Sequence, residues 1–308
     1  MAELTNFTVE RDNQTHETNT LLHCSVKITG EVHDQLIFIP VVNGFLSIIA
    51  LLGNTLILVA LCKELASLQA TSKLLYRNLA ITDLCVGVIA QPLCVAYWSS
   101  VLNETWNTCY YAIAAVSITA SILGLASLLT LTTISVDRLL ALLLGLKYQE
   151  VVTKKKAVTT VAVIWVLSVI CPVSNLYLFI MACLCLVTLI FSYTKIFLTL
   201  RHYKIQVPSQ ASREPTQAVP LNIARYRKGV YSALWVQVAL IICYLPHFVA
   251  EIYIGQKGMN SSVYYAAQLT VTFVFLNSSL NPILYCWKIG EVREAVKNTL
   301  RQRFCASS

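Results

Sequence analysis

Residues 109–143 read CYYAIAAVSITASILGLASLLTLTTISVDRLLALL, with no charged side chain before Asp137 and Arg138. That run exceeds the roughly 20 apolar residues a helix needs to cross ~30 Å of hydrocarbon. Outward from it lie further apolar stretches at 36–62, 73–99, 157–173, 176–200, 228–254 and 263–286. Each is long enough to span, although 157–173 is near the lower limit. In lipid such stretches must be helical, because the backbone has to satisfy its own hydrogen bonds. After the last of them, Gly290 to Phe304 sets Val292, Val296 and Leu300 at four-residue spacing among Arg293, Lys297, Arg301 and Arg303. That pattern suits a helix lying on the membrane surface. The expected fold is an all-α membrane protein: a seven-transmembrane helix bundle with a C-terminal amphipathic helix.

Composition agrees. The 308 residues are 56% hydrophobic and only 12% charged, with a mean hydropathy of +0.65. Soluble domains carry about 25% charged residues, so this chain cannot coat a globule with water-compatible side chains. A secreted disulfide scaffold, a nucleic-acid-binding domain and a disordered chain are excluded as whole-chain readings. Of the eleven cysteines, only Cys24, Cys109 and Cys305 fall in flanking segments, and no CxxC pair with zinc spacing occurs. Met1 to Asp34 is polar throughout, so the first span is expected to carry its own targeting information.

Charge sets the orientation. Lysines and arginines concentrate between spans one and two, three and four, five and six, and after seven; Lys154-Lys155-Lys156 and Arg225, Arg227, Lys228 are examples. The positive-inside rule puts these segments in the cytoplasm. Acidic residues dominate the N-terminal segment, which is expected outside the cell, in the plasma membrane. The sequons at Asn6, Asn13, Asn103 and Asn260 fall on that same outer side, as glycosylation sites would. The chain therefore divides into an extracellular glycosylated segment (1–35), the bundle (36–286) and a cytoplasmic amphipathic helix with a short tail (287–308).

A charge at the bilayer centre costs at least ~2.5 kcal/mol on insertion scales, so Asp83 in span two asks for a reason. Asn54, Ser127, Asn277, Ser278 and Asn281 stand within reach on spans one, three and seven. One carboxylate with several neutral oxygens suits a small cation such as sodium, or else a hydrated network that ties helices together.

These residues also carry a resemblance. Span two has Asn78-Leu79-Ala80-Ile81-Thr82-Asp83, span three ends Asp137-Arg138-Leu139, and Gly145-Leu146-Lys147-Tyr148 follows. Span four has Trp165, span five Tyr193, span six Cys243-Tyr244-Leu245-Pro246, and span seven Asn281-Pro282-Ile283-Leu284-Tyr285. In that order they resemble the rhodopsin-like (class A) G-protein-coupled receptors, from NLAxxD through DRY and CWxP to NPxxY. The resemblance implies an allosteric sodium ion at Asp83, Ser127, Asn277, Ser278 and Asn281, with no other cofactor. It implies kinks at Pro246 and Pro282 that let span six swing outward. Arg138, released from Asp137 and supported by Tyr193 and Tyr285, would then contact a heterotrimeric G protein. Arrestin and membrane lipids are further implied partners, and Cys305 is a candidate for lipidation.

Several positions depart from the pattern. Tyr244 stands where Trp is usual and Leu240 where many receptors have Phe. Cys185 replaces the span-five proline, and Tyr226 sits where Arg138 would find an acidic partner. Fewer resting restraints imply raised basal signalling. Only Ser174-Asn175 separates spans four and five, so the common second-loop disulfide cannot form; Cys109 either pairs with Cys24 or stays free. The short loop and missing proline are similar to melanocortin-type receptors, whose branch includes the adenosine and cannabinoid receptors; a deletion would leave the same trace.

Ligand-facing positions of the family fall on Leu93, Tyr97, Ala120, Ser121, Gly124, His247, Phe248, Glu251, Gln268, Val271 and Phe275. Ala120 disfavours amine ligands, which pair with an acid there, and Phe275 excludes a retinal-binding lysine. Glu251 and His247 either meet a cationic or hydrogen-bonding ligand or, for Glu251, reach outer water. The expected function is a ligand-responsive receptor rather than an enzyme. A transporter would show internal repeats and broken helices, which the sequence lacks. A non-signalling decoy is the other alternative.

Overall fold

The computed structural model describes Cys24 and residues 33–63, 69–173, 175–210, 218–258, 260–288, 293–294 and 296–298; between 202 and 237 the description is of the backbone alone. Asn6, Asn13 and Cys305 lie outside the described residues. A short helical turn, His33–Leu36, precedes α1 (Phe38–Lys63). The chain continues through α2 (Ala70–Leu102), α3 (Trp106–Leu144), α4 (Lys154–Ile170), α5 (Asn175–Gln210), α6 (Ala218–Lys257) and α7 (Ser261–Lys288).

Six of these are long and apolar enough to cross a membrane by length and composition; α4 has 17 residues and is extended by a 3-10 turn, Cys171–Val173. Large apolar side chains face outward along the helices, among them Phe45 at 69% exposure and Val187 at 64%. Outward-facing apolar belts of this extent fit lipid as the surrounding solvent. The expected stretches stopped at 200 and began again at 228, whereas α5 runs to Gln210 and α6 starts at Ala218. Helical hydrogen bonding does not require apolar side chains, so the helices run on into polar sequence. At the C-terminal segment, 293–294 and 296–298 are helical, and Val296 is buried against the inner core.

α1 touches both α2 and α7, α3 contacts α2, α4 and α5, α2 also meets α4, and α6 packs on α7. Among the described residues the apolar interior forms two clusters. One, around Leu79, Leu128, Leu189, Leu240 and Tyr285, fills the half near the charged loops. The other, around Ile39, Tyr97, Trp98, Cys109, Tyr264 and Phe275, fills the opposite half, and Cys24 packs against it. Asp83 lies between them.

Local sequence explains the joints. Gly145, at φ +51°, turns the chain out of α3, a conformation that favours glycine. Thr153 caps α4 by accepting from Lys156 N, satisfying a first-turn donor. Within α2, Val86–Ala90 forms a π turn, closed by Gln91 N–H on the Val86 carbonyl. The next residue, Pro92, has no N–H to give the carbonyl four residues before it, and the wider turn absorbs that mismatch. Pro246 and Pro282 lie inside continuous helices α6 and α7.

Candidate functional site

The centre of the bundle is built on Asp83, which is fully buried. Ser127 Oγ on α3 donates to its Oδ1 at 3.3 Å, and Asn281 Nδ2 on α7 donates to its Oδ2 at 2.7 Å. Asn54 on α1 donates to the Ala50 carbonyl in its own helix (2.9 Å) and to the Ser278 carbonyl (3.1 Å). Asn277 and Ser278 are buried beside them. Asn281 Oδ1 and Asn277 Nδ2 have no hydrogen-bond partner. A single carboxylate beside an unpartnered amide oxygen and a hydroxyl is a donor set that fits a hard monovalent cation. The same side chains, in hydrogen bonding, join α2, α3 and α7.

Just below, α2, α3 and α4 are tied by one asparagine. Asn78 Nδ2 donates to Thr130 Oγ1 at 2.8 Å, and Trp165 Nε1 donates to Asn78 Oδ1 at 2.9 Å.

At the cytoplasmic edge, Asp137 is buried and accepts from two sides. Ser72 Oγ on α2 donates to Oδ2 at 3.0 Å, and the Tyr148 hydroxyl, from the loop after α3, donates to Oδ1. Thr71 lies 3.4 Å from the same hydroxyl. Burial, and then the Asp137 contact, push the Tyr148 phenol above its ordinary range. Arg138 Nε stands 3.9 Å from Asp137 Oδ2, and its guanidinium lies 5.7 Å from the centre of the Tyr76 ring. Tyr76 meets Tyr285 edge-on at 5.4 Å, and Ser135 Oγ donates to the Tyr193 hydroxyl at 3.2 Å. Tyr285 is buried with its hydroxyl unpartnered. Sequence reasoning missed Tyr76 and the role of Tyr148; Tyr148 lay in the quoted loop pattern, whereas nothing in the apolar run marked Tyr76.

At the upper edge of the inner cluster, Tyr244 reaches the Gly124 carbonyl at 3.4 Å, linking α6 to α3. A Cβ added at Gly124 would meet no atom within 4 Å, so there is room beside it. Ala120, Ser121, Gln268 and Val271 are half-buried around that region. His247 Nδ1 is 3.3 Å from Thr270 Oγ1, joining α6 to α7, and Phe248 meets Phe179 of α5 at 5.8 Å. Glu251 is exposed. Tyr97 and Phe275 sit instead in the sealed outer cluster, where the Tyr97 and Tyr264 hydroxyls bond each other and Trp98 stacks nearby. Cys24 and Cys109 form a disulfide, which decides between the two states the sequence left open for Cys109.

The fold is an all-helical, seven-helix bundle. The model of the family "7 transmembrane receptor (rhodopsin family)" matches residues 53–178. Galanin receptor 2a of Danio rerio is 23% identical over 285 residues, covering 85% of this chain and 78% of its own. Melanocortin receptor 3 of Homo sapiens is 24% identical over 298 residues, 88% and 87% of the two chains. Squid rhodopsin superposes with a TM-score of 0.72 at 19% identity, covering 90% and 88%. Together with the ordered motifs, these likenesses support a rhodopsin-like (class A) G-protein-coupled receptor. The relatives are receptors rather than enzymes. Galanin and melanocortin receptors match almost equally, so no ligand branch is singled out.

Proposed function

We propose that this chain is a plasma-membrane receptor that answers an extracellular ligand by nucleotide exchange on a heterotrimeric G protein. The observation that carries the reading is the position of Arg138, held between Asp137 and the Tyr76 ring at the inner end of the bundle. Outward movement of α6 about Pro246, with Asn281, Pro282 and Tyr285 rearranging on α7 and Tyr193 on α5, frees the arginine to meet the G protein. Tyr244 couples this to the outer half through α3. A ligand bound among Ala120, Ser121, Gly124, His247, Phe248, Gln268 and Val271 would act on that contact; Tyr97, Phe275 and Glu251 border the region. The receptor relatives support this reading.

A disulfide forms in an oxidising compartment, so the end of the bundle holding Cys24–Cys109 is the extracellular one. Asn103 and Asn260, both exposed near that end, are the sequons open to glycosylation; Asn6 and Asn13 precede the disulfide in sequence. Lys154 to Lys156 at the other end meet anionic inner-leaflet lipids. Cys305 is a lipidation site, and arrestin is a second partner of the cytoplasmic face. Asp83, Ser127, Asn277, Ser278 and Asn281 would hold a sodium ion, which would supply the counter-charge to the Asp83 carboxylate in the resting state. The test is basal G-protein activation by wild type and Arg138→Ala at matched surface levels. Basal output lost in the variant is the expected result. Output unchanged in Arg138→Ala would overturn the coupling role, and silence of both with any ligand would favour a decoy.

A further inference from the structure

Arg77 is exposed on α2, within a helix long and apolar enough to cross a membrane. Among the described residues it has no hydrogen bond, ion pair or ring contact. A charged side chain in a span calls for a named partner, and the receptor mechanism gives Arg77 none. Ser72 and Tyr76, on the neighbouring turn, face inward to Asp137 and Arg138. Arg77 points away from that contact, toward lipid.

Helix length sets its depth. α2 has 33 residues, about 50 Å at 1.5 Å per residue, against ~30 Å of hydrocarbon. With the excess divided between the two ends, Arg77 lies about 10 Å from the start at Ala70, where hydrocarbon meets headgroups. Side chains on a helix tilt toward its N-terminus, which in α2 is the cytoplasmic end. The guanidinium therefore leans toward the lipid phosphates while its stem lies along apolar surface.

The rest of this face matches a lipid from head to tail. Lys73 stands one turn nearer the cytoplasm, half-buried, and brings a second cation to the same side. In the other direction Ile81 (43% exposed), Leu84 and Val88 (51% exposed) continue the face at helical spacing. Like charges one turn apart repel, and a phosphate between them removes the repulsion. Arginine suits that role, because its planar fork takes two phosphate oxygens at once. A choline headgroup would add a third cation beside the pair, so the match is to a lipid with net negative charge.

We propose that the Lys73–Arg77 face of α2 binds one anionic phospholipid of the inner leaflet, its phosphate on the two bases and an acyl chain along Ile81, Leu84 and Val88. The site rests on the receptor reading for its orientation, which puts the Lys73 end of α2 in the cytoplasm. It goes beyond that reading by assigning a ligand to the outside of the bundle.

The test is native mass spectrometry of the purified full chain, released from bilayers holding phosphatidic acid and phosphatidylcholine in equal amounts. The wild type should retain phosphatidic acid in preference to phosphatidylcholine. Arg77→Gln should lower that preference several-fold. Lys195→Gln should keep it, since Lys195 is an exposed base on α5 that lies over the Phe191 ring of its own helix. If Arg77→Gln does not fold, Arg77→Met is read in the same way. Glycerol phosphate, a headgroup without chains, should not displace the lipid; displacement at equal concentration would mean a site for free phosphate and overturn the lipid assignment. Equal retention of both lipids by the wild type overturns it, as does a preference that survives the Arg77 substitution. An equal loss in Lys195→Gln also overturns it, because net charge alone would then explain the binding. The readout is binding, so a chain that held phosphatidic acid through Arg77 and never activated a G protein would overturn the coupling reading and leave this site standing.

Discussion

Gly53 on α1 faces the ring of Pro282 on α7 so closely that a Cβ on the glycine would stand 2.8 Å from both Pro282 Cβ and Cγ. Both atoms belong to one pyrrolidine ring, fixed to the backbone and buried in the helix that carries the NPxxY motif. Forcing a methyl group into a packed interior costs about 1–3 kcal/mol. Gly53→Ala should therefore lower the melting temperature of the purified protein. Gly124→Ala is the control, since its added Cβ meets nothing within 4 Å and alanine is the better helix former by about 1 kcal/mol. An equal loss in both variants would mean that the α1–α7 contact is not the cause.

The disulfide closes a loop with a sequence separation of 85. A loop of that size constrains the unfolded chain by at most about 4–5 kcal/mol. Cys24→Ser and Cys109→Ser should each lower stability, and the double variant should lower it no further. Mass spectrometry of the unreduced protein should recover the two cysteines in one linked peptide pair. Additive losses would show that the two thiols act separately.

Tyr148 is expected to restrain Arg138 indirectly, by holding Asp137 in place. Tyr148→Phe keeps the ring and loses the hydroxyl, and basal G-protein activation should rise several-fold. In a Ser72→Ala background, which removes the other donor to Asp137, the rise should be larger than the sum of the two. No change in either variant would remove the loop from the resting restraint.

The same hydroxyl gives a pH signature. Burial first, and the Asp137 contact second, raise the Tyr148 phenol above the ordinary value, which is about 10 for tyrosine. The folded state thus prefers the neutral phenol. Its contribution is complete below that ordinary value and is lost as pH rises through the higher folded one. Physiological and acid pH leave it untouched. An alkaline absorbance titration, wild type minus Tyr148→Phe, should show one tyrosinate forming later than in a free peptide.

At Asp83 the prediction concerns ions. Replacing potassium chloride by sodium chloride should raise the melting temperature of the wild type and leave Asp83→Asn unmoved. A sodium response that persists in Asp83→Asn would place the ion elsewhere.

Much of this architecture is legible in the sequence because lipid enforces it. An apolar run of about 20 residues has few fates, and Asp83, Asn281 and Arg138 stand out against it as polar exceptions. Which faces turn inward is harder to read. Lipid and core are both apolar, so a spanning helix lacks the polar outer stripe that reveals the orientation of a soluble one. That is why Tyr76, an aromatic among apolar residues, gave no sign that it lies under Arg138. The π turn was hidden for another reason: Pro92 announces a disturbance in α2 but not the single-residue shift that resolves it. The Cys24–Cys109 pairing depends on how the N-terminal segment returns to the bundle, and no local pattern encodes that.

The tight joint between α4 and α5 bears on how the chain enters the membrane. With 17 residues, α4 reaches about 25 Å at 1.5 Å per residue, near the lower limit for a spanning helix. Beyond it, a single residue in sequence separates the 3-10 turn Cys171–Val173 from the start of α5 at Asn175. A joint this short predicts that the two helices enter the bilayer together, as one hairpin, rather than one after the other.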